Sequence, residues 1–116
     1  MLKFKEVSIP EVNMISANTV VKGNIVIKGD FRLDGSLYGD LECSNKITIG
    51  PNGFIEGLIS CTSAEISGEV KGDIKATELI ILKETSKITG NILCEKLMVE
   101  PGSSLKINCN TKISQV

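Results

Sequence analysis

The chain of 116 residues contains no histidine, no tryptophan and a single arginine, and only 3% of its residues are aromatic. Without histidine it lacks the side chain that most often serves as general base and as metal ligand near neutral pH. No P-loop and no serine in a nucleophile elbow is present either. These absences argue against an enzyme of any kind, and no cofactor and no nucleotide is expected.

A strong charge imbalance and long apolar runs are also missing. The 13 basic and 14 acidic residues leave a net charge of -1, so the basic footprint of a nucleic-acid-binding protein is absent. No apolar run reaches the roughly 18 residues of a transmembrane helix, and no signal peptide is recognisable. We therefore expect a cytoplasmic protein, with its four cysteines reduced and no nucleic acid among its partners.

What the chain does have is a repeat of slightly irregular length that begins at recurring glycines. The anchors are Gly23, Gly39, Gly57, Gly72 and Gly90, with Ile107 in the sixth place, and successive steps are 16, 18, 15, 18 and 17 residues. Aliphatic residues stand two positions before each anchor and, except for Cys109, two positions after it. A recurring column of this kind is typical of a solenoid, in which each repeat stacks on the one before.

The repeats read as strands, because apolar residues alternate with polar ones along them. Alternation is complete from residue 66 to residue 76. Each repeat also holds a second apolar pair, predicted to face inward: Ile47 and Ile49, Ala64 and Ile66, Leu79 and Ile81, Leu97 and Val99. The prediction is a single-domain, all-β parallel β-solenoid of about six rungs of roughly 17 residues.

Repeat length varies at one corner. Longer repeats carry turn-like insertions at 50–53, 83–86 and 100–103, whereas shorter repeats have a bare glycine, Gly35 or Gly68. Together with the anchors, these glycines are interpreted as inward-facing positions, where the strand bends or the interior is too tight for a Cβ.

Two features that suggest metal sites have simpler explanations. Cys43, Cys61 and Cys94 each lie four residues after an anchor, in a column that selects small side chains, and buried thiols explain them. Asp40 and Asp73 resemble ligands of a calcium-binding β-roll, but a whole rung separates them, so they cannot share an ion.

A left-handed hexapeptide helix is the rival architecture. Val21, Ile27 and Leu33 follow a period of six, yet the register is lost at Gly39. Acyltransferases and carbonic anhydrases of that architecture work through histidine, which this chain lacks.

The ends of the solenoid carry the functional prediction. No cap is recognisable, so the apolar cross-sections are expected to stack end to end. The predicted interface comprises Val21 and Ile25 in the first rung and Leu105, Ile107 and Ile113 in the last. The segments are an N-terminal tail (1–13), the β-helix domain (14–113) and a short C-terminal tail (114–116).

The first residues, "MLKFKEV", pair apolar with basic side chains. Leu2, Lys3, Phe4 and Lys5 are the predicted membrane contact. The alternative is a tail without that role, or a first short strand.

The repeats resemble those of the bactofilins. The resemblance rests on "MISANTVVKGNIVIKGDFRLDGSLYGDL", "ITIGPNGFIEGLIS", "AEISGEVKGDIKATELIIL" and "ITGNILCEKLMVEPGSS". It implies a right-handed, triangular β-helix that polymerises without nucleotide into non-polar filaments or bundles under the cytoplasmic membrane. It further implies a scaffold for cell shape or wall synthesis, with cell-wall enzymes as partners. In the last rung the chain departs from the family pattern, with Leu105 in place of an aromatic residue and Ile107 in place of glycine.

A monomeric solenoid that binds a protein or a glycan is the alternative function. Glycan sites on solenoids are marked by rows of aromatic residues, and four scattered aromatics do not form one. They are Phe4, Phe31, Tyr38 and Phe54.

Overall fold

The protein is an all-β chain. The computed structural model describes residues 7–8 and 13–115, with side-chain surroundings for residues 13–107, and none of these residues is helical. The strands are β1 (Val7–Ser8), β2 (Asn13–Ile15), β3 (Val20–Lys22), β4 (Ile25–Lys28), β5 (Phe31–Leu33), β6 (Ser36–Tyr38), β7 (Leu41–Cys43), β8 (Lys46–Ile49), β9 (Phe54–Glu56), β10 (Ile59–Ile66), β11 (Glu69–Lys71), β12 (Ile74–Leu82), β13 (Lys87–Val99) and β14 (Ser104–Gln115).

Every strand pair among these residues is parallel, and the strands stack into three faces. Face A contains β3, β6, β9, β11 and the first residues of β13 and β14. Face B contains β1, β4, β7 and the next part of β10, β12, β13 and β14. Face C contains β2, β5, β8 and the last part of the same four strands. The predicted parallel β-solenoid of about six rungs is confirmed.

The core is a narrow aliphatic column enclosed by the three faces. Leu37, Ile55, Val70 and Ile88 continue one another along face A, and all four are buried. Phe31 is the one aromatic ring in the core of the described residues. The interior between three such faces is narrow and is filled best by branched aliphatic side chains. This explains the shortage of aromatic residues.

One predicted pair is wrong. In β12 the buried residues are Ile80 and Leu82, whereas Leu79 and Ile81 point outward and are half-exposed. Between its face B and face C segments, β12 carries one residue more than β10, so the register shifts at that corner. Counted from the anchor glycine, the inward pair of β12 therefore lies one position later than in β10, and Ile80 and Leu82 stay stacked on Ala64 and Ile66.

The anchor glycines lie at the corner between faces A and B, which corrects their interpretation as inward-facing residues. Gly39 and Gly57 have φ of 147° and 150°, a conformation that side-chain-bearing residues avoid. A Cβ on either would also collide with the carbonyl oxygen of the anchor glycine one rung earlier, as it would on Gly72 and Gly90. The neighbouring backbone, not a tight interior, excludes the side chain.

Turns of two lengths form the corner between faces C and A. Four-residue turns occupy 16–19, 50–53, 83–86 and 100–103, each closed by a hydrogen bond from the fourth N–H to the first carbonyl. Gly35 and Gly68 form the shorter turns, and a Cβ on Gly68 would meet the carbonyl oxygens of Gly50 and Gly53. A short turn therefore lies tightly against the longer turn of the preceding rung.

Candidate assembly interface

One end of the solenoid is the rung formed by β14. This strand pairs with β13 along its full length, and no strand among the described residues pairs with its other edge. Leu105 lies over Ile88 and Ile107 over Gly90, and both apolar side chains are half-buried against the core. The end therefore combines a free strand edge with an incompletely covered apolar cross-section.

The opposite end has a similar composition. On face A, β3 pairs only with β6 within the described part of the chain, and Val21 packs half-buried above Leu37. Ile25 of β4 lies above Leu41 and is also half-buried. Apolar columns of the core thus open toward both ends of the rod.

Sequence reasoning offered a first short strand near Val7 only as an alternative and did not predict β2. Two short strands precede the rung that begins at Val20: β1 lies beside Ile27 and Lys28 on face B, and β2 beside β5 on face C. Ile15 of β2 lies over Leu33 and is half-buried against the core. The 18-residue step from Ile15 to Leu33 was the only signal, and β2 has no anchor glycine of its own.

The structure places four of the five predicted interface residues at the two ends. Val21 and Ile25 lie at one end, Leu105 and Ile107 at the other. The backbone of Ile113 pairs with Leu97, but its side chain lies outside the described residues, as do all of Leu2, Lys3, Phe4 and Lys5. Their participation in contacts stays a prediction.

The cysteine column is confirmed as part of the core. Cys43, Cys61 and Cys94 are buried, and Cys43 Sγ donates a hydrogen bond of 3.0 Å to the carbonyl oxygen of Gly29. Burial raises the pKa of the Cys61 thiol to about 12 and also raises that of Cys43. The thiols of Cys43 and Cys61 are therefore neutral at physiological pH, and all three cysteines pack as small apolar groups.

The aspartates beside the anchors connect one rung to the next. Asp40 accepts a hydrogen bond of 3.1 Å from the backbone N–H of Leu58, and Asp73 accepts one of 3.0 Å from the side-chain amide of Asn91. The described residues contain no group of three or more ligands suited to a metal ion. The structural role of Asp40 and Asp73 is to accept hydrogen bonds from polar groups of the next rung along the A–B corner.

A family of known proteins shares the repeats of this solenoid. The family model named Bactofilin, described as polymer-forming cytoskeletal, matches residues 13–110. The chain belongs to the bactofilin family. Its membership establishes it as one of the polymer-forming cytoskeletal proteins.

Two curated bactofilins of Myxococcus xanthus (strain DK1622) are similar to this bactofilin. Bactofilin BacO is 27% identical over 107 residues, spanning 87% of this chain and 85% of BacO. Bactofilin BacP is 30% identical over 95 residues, spanning 77% of this chain but only 40% of BacP. No solved structure gives a significant match.

No helix long and apolar enough to cross a membrane is present in the described part of this bactofilin.

Proposed function

We propose that this bactofilin polymerises end to end into non-polar filaments, without nucleotide, at the cytoplasmic face of the bacterial membrane. There the filaments act as a scaffold for cell shape or wall synthesis, with cell-wall enzymes among the partners. The observation that carries the proposal is the pair of half-buried apolar ends, Val21 and Ile25 at one end, Leu105 and Ile107 at the other.

Each end offers two kinds of interaction to another copy. The free edge of β14 presents backbone N–H and C=O groups that a further strand can pair with. The aliphatic side chains beside it gain free energy when a second apolar cross-section removes them from water. Stacking of copies continues the sheet and the core together, so assembly is driven by burial and requires no nucleotide hydrolysis.

The experiment is negative-stain electron microscopy with sedimentation of the purified protein in EDTA and without nucleotide. Long unbranched filaments a few nanometres wide that pellet at high speed are the expected result. Monodisperse monomers across a wide concentration range would contradict the proposal. They would instead favour the alternative function, a monomeric solenoid that binds a protein or glycan.

Membrane attachment is proposed to use the N-terminal Leu2, Lys3, Phe4 and Lys5, which combine insertable apolar groups with cationic ones. Removing residues 2–5 is expected to abolish flotation of filaments with liposomes rich in anionic lipid. The deletion ends before Val7 because β1 pairs with β4 and must stay intact. One short segment binds weakly, but a filament presents many copies, so loss of the segment has a large effect.

The matched control is Met14→Ser, which removes an exposed apolar side chain on face C and keeps the N-terminus. This variant should float like the unmodified protein. Equal flotation of the deletion variant and the unmodified protein would show that the segment does not attach filaments to membranes.

A further inference from the structure

The outer surface of face B has an acidic groove along its first rungs. The volume of the groove is about 230 Å³. Among the described residues its lining contains two carboxylates, Asp40 and Glu42, and no basic side chain. Val26, one rung before Glu42, and Leu58, at the start of the rung after it, supply apolar surface. The groove therefore suits a ligand that combines positive charge with apolar side chains.

Leu58 gives the groove its exposed apolar wall. In the two preceding rungs this place at the A–B corner holds polar residues: Asn24 accepts a hydrogen bond from the backbone N–H of Asp40, and Asp40 accepts one from that of Leu58. A leucine side chain cannot accept such a bond from the next rung, and this one is 42% exposed. The polar column is thus replaced by apolar surface at the groove.

The chain carries a segment of complementary composition just before β1. Residues 1–6 lie outside the described part of the structure. After Met1 they comprise two apolar residues, two lysines and one glutamate: Leu2, Phe4, Lys3, Lys5 and Glu6. The segment is net positive, and its apolar and basic side chains alternate. It therefore matches a groove in which carboxylates lie between apolar walls.

Strand β1 brings this segment close to the groove. Val7 pairs with Ile27 in parallel, so the chain enters face B from the A–B corner, where the groove lies. Leu58 is three rungs away, about 14 Å, and five extended residues span about 17 Å. Leu93 is five rungs away, about 24 Å, whereas residues 1–6 span at most about 20 Å. The segment can reach Leu58 but not Leu93.

We propose that residues 1–6 dock in this groove of their own chain, with their lysines against the two carboxylates and an apolar side chain on Leu58. The inference rests on the proposed function, since the docked residues are those proposed to attach filaments to the membrane. A copy whose segment is docked does not present that segment to lipid. Groove and membrane compete for one segment, so the groove sets the fraction of copies that are free to bind lipid.

The competition makes membrane attachment depend on assembly. A single copy binds lipid weakly through one short segment, so docking keeps that copy off the membrane. In a filament the lipid contacts of many copies act together, and the membrane wins the competition. Filaments therefore attach to the membrane, whereas unassembled copies stay in solution.

The first test is flotation with limiting amounts of phosphatidylglycerol and phosphatidylcholine liposomes. Leu58→Asn gives the corner the residue that it has at Asn24 and Asn91, and Glu42→Gln removes one carboxylate. The double variant should release the segment. If about 90% of copies are docked, the apparent affinity for liposomes rises about tenfold. Leu93→Asn removes an exposed apolar side chain beyond the reach of the segment and should leave flotation unchanged.

Deleting residues 2–5 separates docking from a general effect of charge. Glu42→Gln also makes the surface less negative, which by itself favours contact with anionic lipid. The double variant is therefore also made without residues 2–5, where it should not change flotation. A rise in flotation that persists without the segment would show that face B itself meets the lipid, and it would overturn the docking.

A second test detects the contact in the absence of lipid. A carbodiimide joins a lysine amine directly to a carboxylate that touches it, and mass spectrometry identifies the joined residues. Lys3 or Lys5 should couple to Asp40 or Glu42 in the unmodified protein. Leu58→Asn should lower this coupling at least threefold, and Leu93→Asn should not change it. Mixing isotope-labelled with unlabelled protein shows whether both coupled residues belong to one chain.

The outcomes separate this inference from the proposed function. Equal flotation of the unmodified protein and of the protein without residues 2–5 would overturn the proposed membrane attachment, and the coupling alone would then decide the docking. Where residues 2–5 do attach the protein, unchanged flotation of the double variant would overturn the docking. Absence of coupling within one chain would do the same, and membrane attachment would stand.

Discussion

Replacing Leu105 with arginine is expected to stop filament growth and to leave this bactofilin as dimers. Leu105 is half-buried in the last rung, so the guanidinium group would lie where the proposed end contact excludes water. An unpaired charge at an apolar contact costs several kcal/mol, which corresponds to a rise of ~100-fold or more in the concentration needed for assembly.

Dimers rather than monomers are expected because a non-polar filament joins like ends. Leu105→Arg removes one kind of contact and leaves the contact between Val21-bearing ends. The reciprocal variant Val21→Arg should give dimers through the other end. In a polar filament, each variant alone would be monomeric, and mixing the two would produce a heterodimer. Sedimentation velocity distinguishes these cases.

Ser104→Arg is the matched control, since Ser104 is exposed and immediately precedes Leu105 in β14. It should polymerise normally. Circular dichroism and a thermal melt verify that the Leu105 and Val21 variants remain folded. Normal filaments from both folded arginine variants would contradict the end-to-end interface.

The second large effect is expected at the corner glycines. Gly57→Ala should lower the free energy of unfolding by ~3–5 kcal/mol, near the upper range for single substitutions. Its φ of 150° is unfavourable for alanine, and the new Cβ would collide with the carbonyl oxygen of Gly39. This collision can be relieved only if two stacked rungs move apart, because the backbone of each rung is held by hydrogen bonds to its parallel neighbours.

Two other glycines separate the causes of this effect. Gly102 has φ of 100°, but a Cβ there comes no closer than 3.4 Å to Glu84, so Gly102→Ala tests strain alone, at ~1–3 kcal/mol. Gly68 has no such φ, but its Cβ would meet the backbone carbonyl oxygens of the buried Gly50 and Gly53, so Gly68→Ala tests the collision between rungs without backbone strain. We expect Gly57→Ala to be the most destabilising of the three.

The unfolding measurements belong on a background that carries both Leu105→Arg and Val21→Arg, which blocks both end contacts, and are made by denaturant titration. Contacts within a filament would add to the apparent stability of every variant and obscure the differences. If Gly57→Ala is no more destabilising than Gly102→Ala, the collision between rungs is not the reason for glycine at this corner.

The solenoid could be predicted from the sequence because the apolar residues that indicate it recur in every repeat. Alternation from Ile66 to Ala76 reports side-chain direction, and the structure confirms the inward residues of this stretch as buried, apart from the half-exposed corner at Gly72. The column of small side chains that contains Cys43 and Cys61 was equally visible in the sequence. Small residues recur there at the same position of each repeat.

Other features depend on contacts between rungs that no single repeat displays. The run from Leu79 to Leu82 is apolar throughout and fits either register, and only the extra residue before it decides which side chains turn inward. The reason for the anchor glycines was also hidden, because it lies in the backbone of the previous rung. The groove beside Leu58 required neighbouring rungs to be placed together.

The turns at the C–A corner also bear on how such a chain changes during evolution. Turns of two lengths already alternate there without disturbing the three faces, and Pro51, Asn52, Pro101 and Gly102 are exposed. Insertions of several residues at this corner leave the stacking intact, whereas the B–C corner varies by a single residue between β10 and β12, with Ala64 and Ile80 kept in one inward column. This edge is therefore where peptide tags or whole domains can be grafted, and where related sequences should differ most in length.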